Sequence, residues 1–104
     1  MQNKVKEFNE LKNTHYAQMP AYARLLDIQS ELGELSKEYL KNSKYGTEEF
    51  VLTDDFKFEF GDTLYSLLSL ADELNIDSSE CLDLVLEKYK QRINQNGSMG
   101  SKKE

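Results

Sequence analysis

The sequence predicts an all-α protein, a four-helix-type bundle, on three observations. Apolar residues recur at three- and four-residue spacings in four separate stretches. The breaks between those stretches fall on residues that start or stop helices. Only one proline, Pro20, is present, and it stands where a helix can begin rather than inside one.

The first helix is expected from about Asn3 to His15, with Val5, Phe8 and Leu11 on one face. The second begins near Pro20, whose missing N–H costs nothing in a first helical turn. Its stripe is Leu25, Ile28, Leu32, Leu35 and Tyr39, and it fails between Asn42 and Gly46, where Asn, Ser and Gly accumulate. The stretch Thr47 to Leu52 either extends this helix, packs as a loop or starts the next one. Thr53 followed by Asp54 and Asp55 reads as an N-cap with acidic residues at the positive end of the helix dipole. The third helix carries Phe60, Leu64, Leu67, Ala71 and Leu74, widened by Phe56, Tyr65, Leu68 and Leu70. A stripe this broad implies burial on more than one side, in a bundle or at a dimer contact. Asn75-Ile76-Asp77 reads as a turn, with Asp77 and Glu80 spaced as a capping box. The fourth helix carries Leu82, Val85, Leu86, Tyr89 and Ile93.

Length and composition bound the rest. With 104 residues the chain makes one domain, expected over 1–94, followed by a polar tail at 95–104 expected to be flexible unless a ligand orders it. Hydrophobic residues at 38% and charged residues at 31%, arranged in stripes, describe a folded helical chain rather than a disordered one. A net charge of −6 argues against wrapping nucleic acid, whose phosphates demand Lys and Arg. It leaves room for a nucleotide ligand, because a metal ion supplies positive charge locally. No stretch approaches the ~20 apolar residues of a membrane span, and the first residues show no signal-peptide pattern, so a cytoplasmic location is expected. The one cysteine, Cys81, forms no internal disulfide and is expected to be an ordinary buried helical cysteine.

The chemistry lies in two acid pairs. Glu31 and Glu34 stand three residues apart on the second helix, and Glu59 and Asp62 three apart on the third. Residues three apart share a helix face, with β-carbons ~5–6 Å apart, so each pair can aim two carboxylates at one point. Both pairs adjoin the apolar stripe and therefore border a neighbouring helix. Like charges brought to ~4 Å repel by about 4 kcal/mol per contact at an effective dielectric of ~20, so protons or a cation must offset such a cluster. Mg²⁺, a hard ion that binds carboxylate and phosphate oxygens, suits four carboxylates, with Mn²⁺ as a substitute. A single histidine, His15, and a single cysteine make zinc a poor match. Glu-x-x-Glu alone is common on solvated helices. The second pair, 24 residues on (35–58), is what gives the first its meaning, because that length lets one helix end and the next return antiparallel. Glu38 lies a turn further along, either on the solvated edge or near a second metal.

The arrangement Glu31-Leu-Gly-Glu34, 24 residues, then Glu59-Phe-Gly-Asp62 resembles the all-α MazG-like nucleoside triphosphate pyrophosphohydrolases. Phe58 to Leu68 is similar to that family's third-helix block, Ala71 to Asp77 to its exit into the fourth helix, and Lys88-Tyr89-Lys90-Gln91-Arg92-Ile93 to the basic segment that follows. The resemblance covers roughly Leu25 to Ile93. It implies an α-helical bundle working as a homodimer or a tetramer of dimers. It further implies that Glu31, Glu34, Glu59 and Asp62 hold Mg²⁺ against substrate phosphates. In such a family water attacks the α-phosphorus of a (deoxy)nucleoside triphosphate and pyrophosphate leaves, a nucleotide house-cleaning hydrolysis. Glu31 or Glu34 would serve as general base. Lys88 and Arg92, four apart on the last helix, either approach the phosphates or pair on the surface, for instance with Glu87. Two other readings stand beside this one. A phosphoribosyl-ATP pyrophosphohydrolase shares the fold but typically carries Tyr-His after the second acid pair, where this chain has Tyr65-Ser66. A non-catalytic helical adaptor would use its acids for solubility alone.

Overall fold

The computed structural model describes residues 1–96. They form four helices, α1 (Gln2–Asn13), α2 (Ala21–Asn42), α3 (Asp54–Glu73) and α4 (Ser78–Asn96), with no strand among the described residues. The all-α expectation holds, and each helix sits within a few residues of its expected bounds. The last helix runs to Asn96, past the expected boundary at 94, and the rest of the expected tail lies outside the described residues. No described helix is long and apolar enough to cross a membrane.

The helix ends follow from local chemistry. Pro20 caps α2, and Arg24 N–H donates back to its carbonyl at 3.0 Å. At the far end Lys44, Tyr45 and Gly46 adopt φ of 48°, 60° and 84°, a left-handed run that only glycine enters without cost. That run ends α2, and Tyr45 N–H closes on Leu40 O at 2.6 Å. The ambiguous stretch before α3 is a loop. Phe50 within it stacks on Tyr39 with centroids 4.5 Å apart and meets Phe56 edge-on at 4.9 Å. Thr53 Oγ1 accepts from Phe56 N–H at 3.1 Å, the expected N-cap, and also from Asn42 Nδ2 at 2.9 Å, which ties the start of α3 to the end of α2. Asp77 Oδ1 caps α4 by accepting from Glu80 N–H at 3.1 Å.

α2 and α3 pair as an antiparallel hairpin, and α1 lies against α3. The apolar interior is small: among the described residues Ile28, Leu68 and Ala71 are its buried members. Between them runs a polar interior. Tyr65 OH donates to Asn9 Oδ1 at 2.6 Å, and Asn9 Nδ2 donates to the fully buried Ser69 Oγ at 3.1 Å. Arg24 is buried with its Nε 3.4 Å from Glu73 Oε1, its Nη1 3.9 Å from Asp27 Oδ2, and its guanidinium 5.6 Å from the centre of the Tyr65 ring. α4 departs from this frame. Gln2 pins its start, donating to Ile76 O at 2.7 Å and accepting from Ser78 N–H at 2.8 Å. Beyond that point α4 packs extensively against no other helix of the chain, so Leu82, Leu86 and Ile93 stay exposed. Cys81 is exposed for the same reason, contrary to the burial expected of it.

Candidate metal centre

The antiparallel hairpin carries the two acid pairs to one place. Glu31 from α2 and Glu59 and Asp62 from α3 each present a carboxylate oxygen within 4.8 Å of the others, and all three residues are half-buried. The backbone beneath them is fastened by Thr63, whose Oγ1 donates to Glu59 O at 2.9 Å and reaches Glu31 O at 3.5 Å on the facing helix. Glu34, the fourth expected ligand, lies on the exposed edge outside this triad. Its charge is nevertheless felt at Glu59.

The electrostatics are those of crowded anions. A hydrogen bond with Asp62, partial desolvation and the charges of Asp62, Asp27 and Glu59 raise the Glu31 carboxyl from 4.5 to about 7. The raised value reflects negative charges packed together, which a proton on Glu31 or a bound cation would relieve. Glu59 is also raised, first by desolvation and then by Asp62, Glu34, Glu38 and Asp55. Glu38 Oε2 is shut off from solvent without a hydrogen-bond partner, at the end of the same row of acids. The donor set fits a hard divalent ion. Oxygens bound to one octahedral Mg²⁺ at ~2.0–2.1 Å stand ~3–4 Å apart, which small side-chain rotations would reach from the spacing present.

Two residues beside the triad are not part of the acid motif. Asp27, one turn before Glu31, accepts from the buried Ser66 Oγ at 3.3 Å and pairs with Arg24. The four-residue spacing from Asp27 to Glu31 is a signal that sequence reading passes over, because acids at that spacing are routine on exposed helices. The other, Arg24, looks in sequence like any surface cation of a first helical turn. Lys88 and Arg92 are not drawn into the site. They lie on α4, neither figures among the charges acting on Glu31 or Glu59, and Arg92 rests over its own neighbour Tyr89 at 5.9 Å.

Among curated proteins, the chain is 35% identical over 86 residues to "Uncharacterized protein YpjD" of Bacillus subtilis (strain 168), an overlap of 80% of this chain and 73% of that protein. No family model matches the chain, and no solved structure matches it.

Proposed function

The chain belongs to the same family as the YpjD protein of Bacillus subtilis, and from that premise and its own carboxylates we propose a Mg²⁺-dependent nucleoside triphosphate pyrophosphohydrolase of MazG-like type. The observation that carries the reading is the convergence of Glu31, Glu59 and Asp62 from two helices, with one oxygen of each within 4.8 Å of the others. Solvated acids of an adaptor would be free to spread apart, whereas these three are half-buried and press on one another.

Glu31, Glu59 and Asp62 would hold the ion, and Glu34 would reach it from the exposed edge. Bound there, Mg²⁺ would neutralise phosphate charge and stabilise the leaving pyrophosphate oxygens. The carboxylate of Glu31 or Glu34 left outside the ion's contacts is placed to take the proton of a water attacking the α-phosphorus. Lys88 and Arg92 would serve phosphate binding only if α4 is carried to an acidic groove, that of its own chain or of another subunit. The products are a nucleoside monophosphate and pyrophosphate, the chemistry of nucleotide-pool cleansing in the cytoplasm.

Pyrophosphate release from a panel of canonical and modified nucleoside and deoxynucleoside triphosphates, with and without Mg²⁺, tests the reading. Release that needs both Mg²⁺ and Glu59 supports it. Release from no member of the panel, with phosphoribosyl-ATP included, removes it in favour of the adaptor.

A further inference from the structure

We infer that the cleft at the C-terminal end of α2 is the seat of the substrate's base, and that it selects a base carrying both an exocyclic amino group and a ring carbonyl, cytosine or guanine. The inference rests on the nucleotide reading of the carboxylate centre and names the substrate class of that same site. The cleft holds about 240 Å³ between Glu34, Lys37, Glu38, Leu40, Lys41 and Tyr45. A pocket for a whole ligand holds ~300–1,000 Å³, so this one suits one end of a nucleotide. Glu34 also stands on the rim of the triad, and the charges of Glu34 and Glu38 both act on Glu59. The cleft and the carboxylate centre are therefore contiguous. From Glu34 to Lys41, seven residues of α2 carry the cleft ~10 Å onward along the helix. A nucleotide whose phosphates lie at the triad would lay its base there.

Glu38 supplies the acceptor. Its Oε2 is shut off from solvent and has no hydrogen-bond partner. Lys37 and Lys41 line the same cleft, yet neither forms an ion pair with it or with any other acid among the described residues. A desolvated carboxylate oxygen without a donor is costly, and a ligand N–H that reaches it removes that cost. An exocyclic amino group is such a donor, as the amino group of cytosine is to Glu. The two ammonium groups at the rim suit a ring carbonyl, as lysine suits the O6 of guanine. Uracil, thymine and hypoxanthine lack the amino group, and adenine lacks the carbonyl. A phosphate fits this end poorly, because Glu34 and Glu38 would repel it.

Tyr45 supplies the stacking face. Lys44 and Tyr45 both adopt positive φ, 48° and 60°, a region that side chains other than glycine's enter at a cost. Strain of this kind is retained where a ligand is clamped. Here it sets the Tyr45 side chain at the wall of the cleft, 79% exposed, while Tyr39, Phe50 and Phe56 pack on one another. With Leu40 beside it, the Tyr45 ring offers a flat apolar surface on which any base stacks. Tyr45 thus supplies affinity for bases of every kind, and Glu38 supplies the choice among them.

The test is calorimetric binding of uncleavable α,β-imido deoxynucleoside triphosphates to the full chain in Mg²⁺. The analogues form two pairs, cytosine against uracil and guanine against hypoxanthine, and the second pair differs by the amino group alone. In at least one pair the amino member should bind roughly tenfold tighter or more, and the pair that shows it tells which ring the cleft takes. Glu38→Gln should level that difference, because an amide donates as readily as it accepts. Tyr45→Ala should weaken both members of the pair by roughly tenfold or more, and Tyr45→Phe, which keeps the ring, should not. Tyr45→Gly separates stacking from a structural role: it should raise the urea midpoint by relieving the backbone, yet bind as weakly as Tyr45→Ala. Equal or reversed binding within both pairs overturns the inference and leaves the pyrophosphohydrolase reading standing. So does a Glu38→Gln variant that weakens all four analogues alike, which would give Glu38 to the metal instead. Binding of none of the four overturns both.

Discussion

Asp62 and Glu31 face each other across the α2–α3 interface, and Asp62 is the chief cause that raises the Glu31 carboxyl from 4.5 to about 7. The raised carboxyl makes protons and metal competitors for the same oxygens.

The first prediction concerns pH. Because the Glu31 carboxyl is raised from 4.5 to about 7 in the folded chain, the native state binds its proton more tightly than the unfolded chain does. Its stabilising effect is therefore complete below pH ~4.5 and is lost as pH rises through ~7. Metal-free protein should show a melting temperature that falls across this window relative to Glu31→Gln, which has no such proton to lose. Divalent-ion affinity, measured calorimetrically, should run the opposite way and be weaker at pH 6 than at pH 8, as the ion must displace the proton. Equal affinity at the two values would break the link between the proton and the ion.

The second concerns the centre of the cluster. Glu59→Gln removes a charge that presses on Asp62, Glu34, Glu38 and Asp55. Metal-free protein should be as stable as the unaltered chain or more so, while divalent-ion affinity and any pyrophosphate release should fall by ~100-fold or more, the upper end of what loss of supporting groups costs a metal site. Thermal melts with and without Mg²⁺ separate the two effects.

The third concerns the buried pair. Arg24 and Glu73 are both secluded, and each keeps a polar atom, Nη2 and Oε2, without a hydrogen-bond partner. Arg24→Met strands the Glu73 carboxylate in the interface and should cost about 3–5 kcal/mol in urea unfolding. The double variant Arg24→Met/Glu73→Leu should recover most of that loss, because no charge is then left unpaired. A double variant as unstable as the single would show that Arg24 acts by packing on Tyr65 instead.

The fourth uses the glycines inside the two acid motifs. A Cβ built at Gly33 or Gly61 meets no atom within 4 Å, so Gly33→Ala and Gly61→Ala should each stabilise their helix by roughly 0.5–1 kcal/mol. Stabilisation with loss of pyrophosphate release would mark the space beside that glycine as used by substrate. A destabilised variant would show that another subunit already fills it.

Much of this molecule was legible before any coordinates. Thr53 and Asp77 announce helix starts because a side-chain oxygen beside an unsatisfied N–H is a local matter, decided within three residues. The acid pairs are equally local, since three-residue spacing on a helix is enough to set two carboxylates on one face. Their convergence was an expectation from the length of the intervening segment, and the structure brings three of the four together while leaving Glu34 on the rim. Tertiary packing alone decided the rest. Arg24 and Asp27 have no local mark, and they matter because the antiparallel register sets Glu73 and Ser66 opposite them. Periodicity placed α4 as a fourth helix but could not tell that it would stand away from the others, nor that Cys81 would lie in the open. An apolar stripe specifies that something must cover it, and only the arrangement of the whole chain shows whether that cover comes from within.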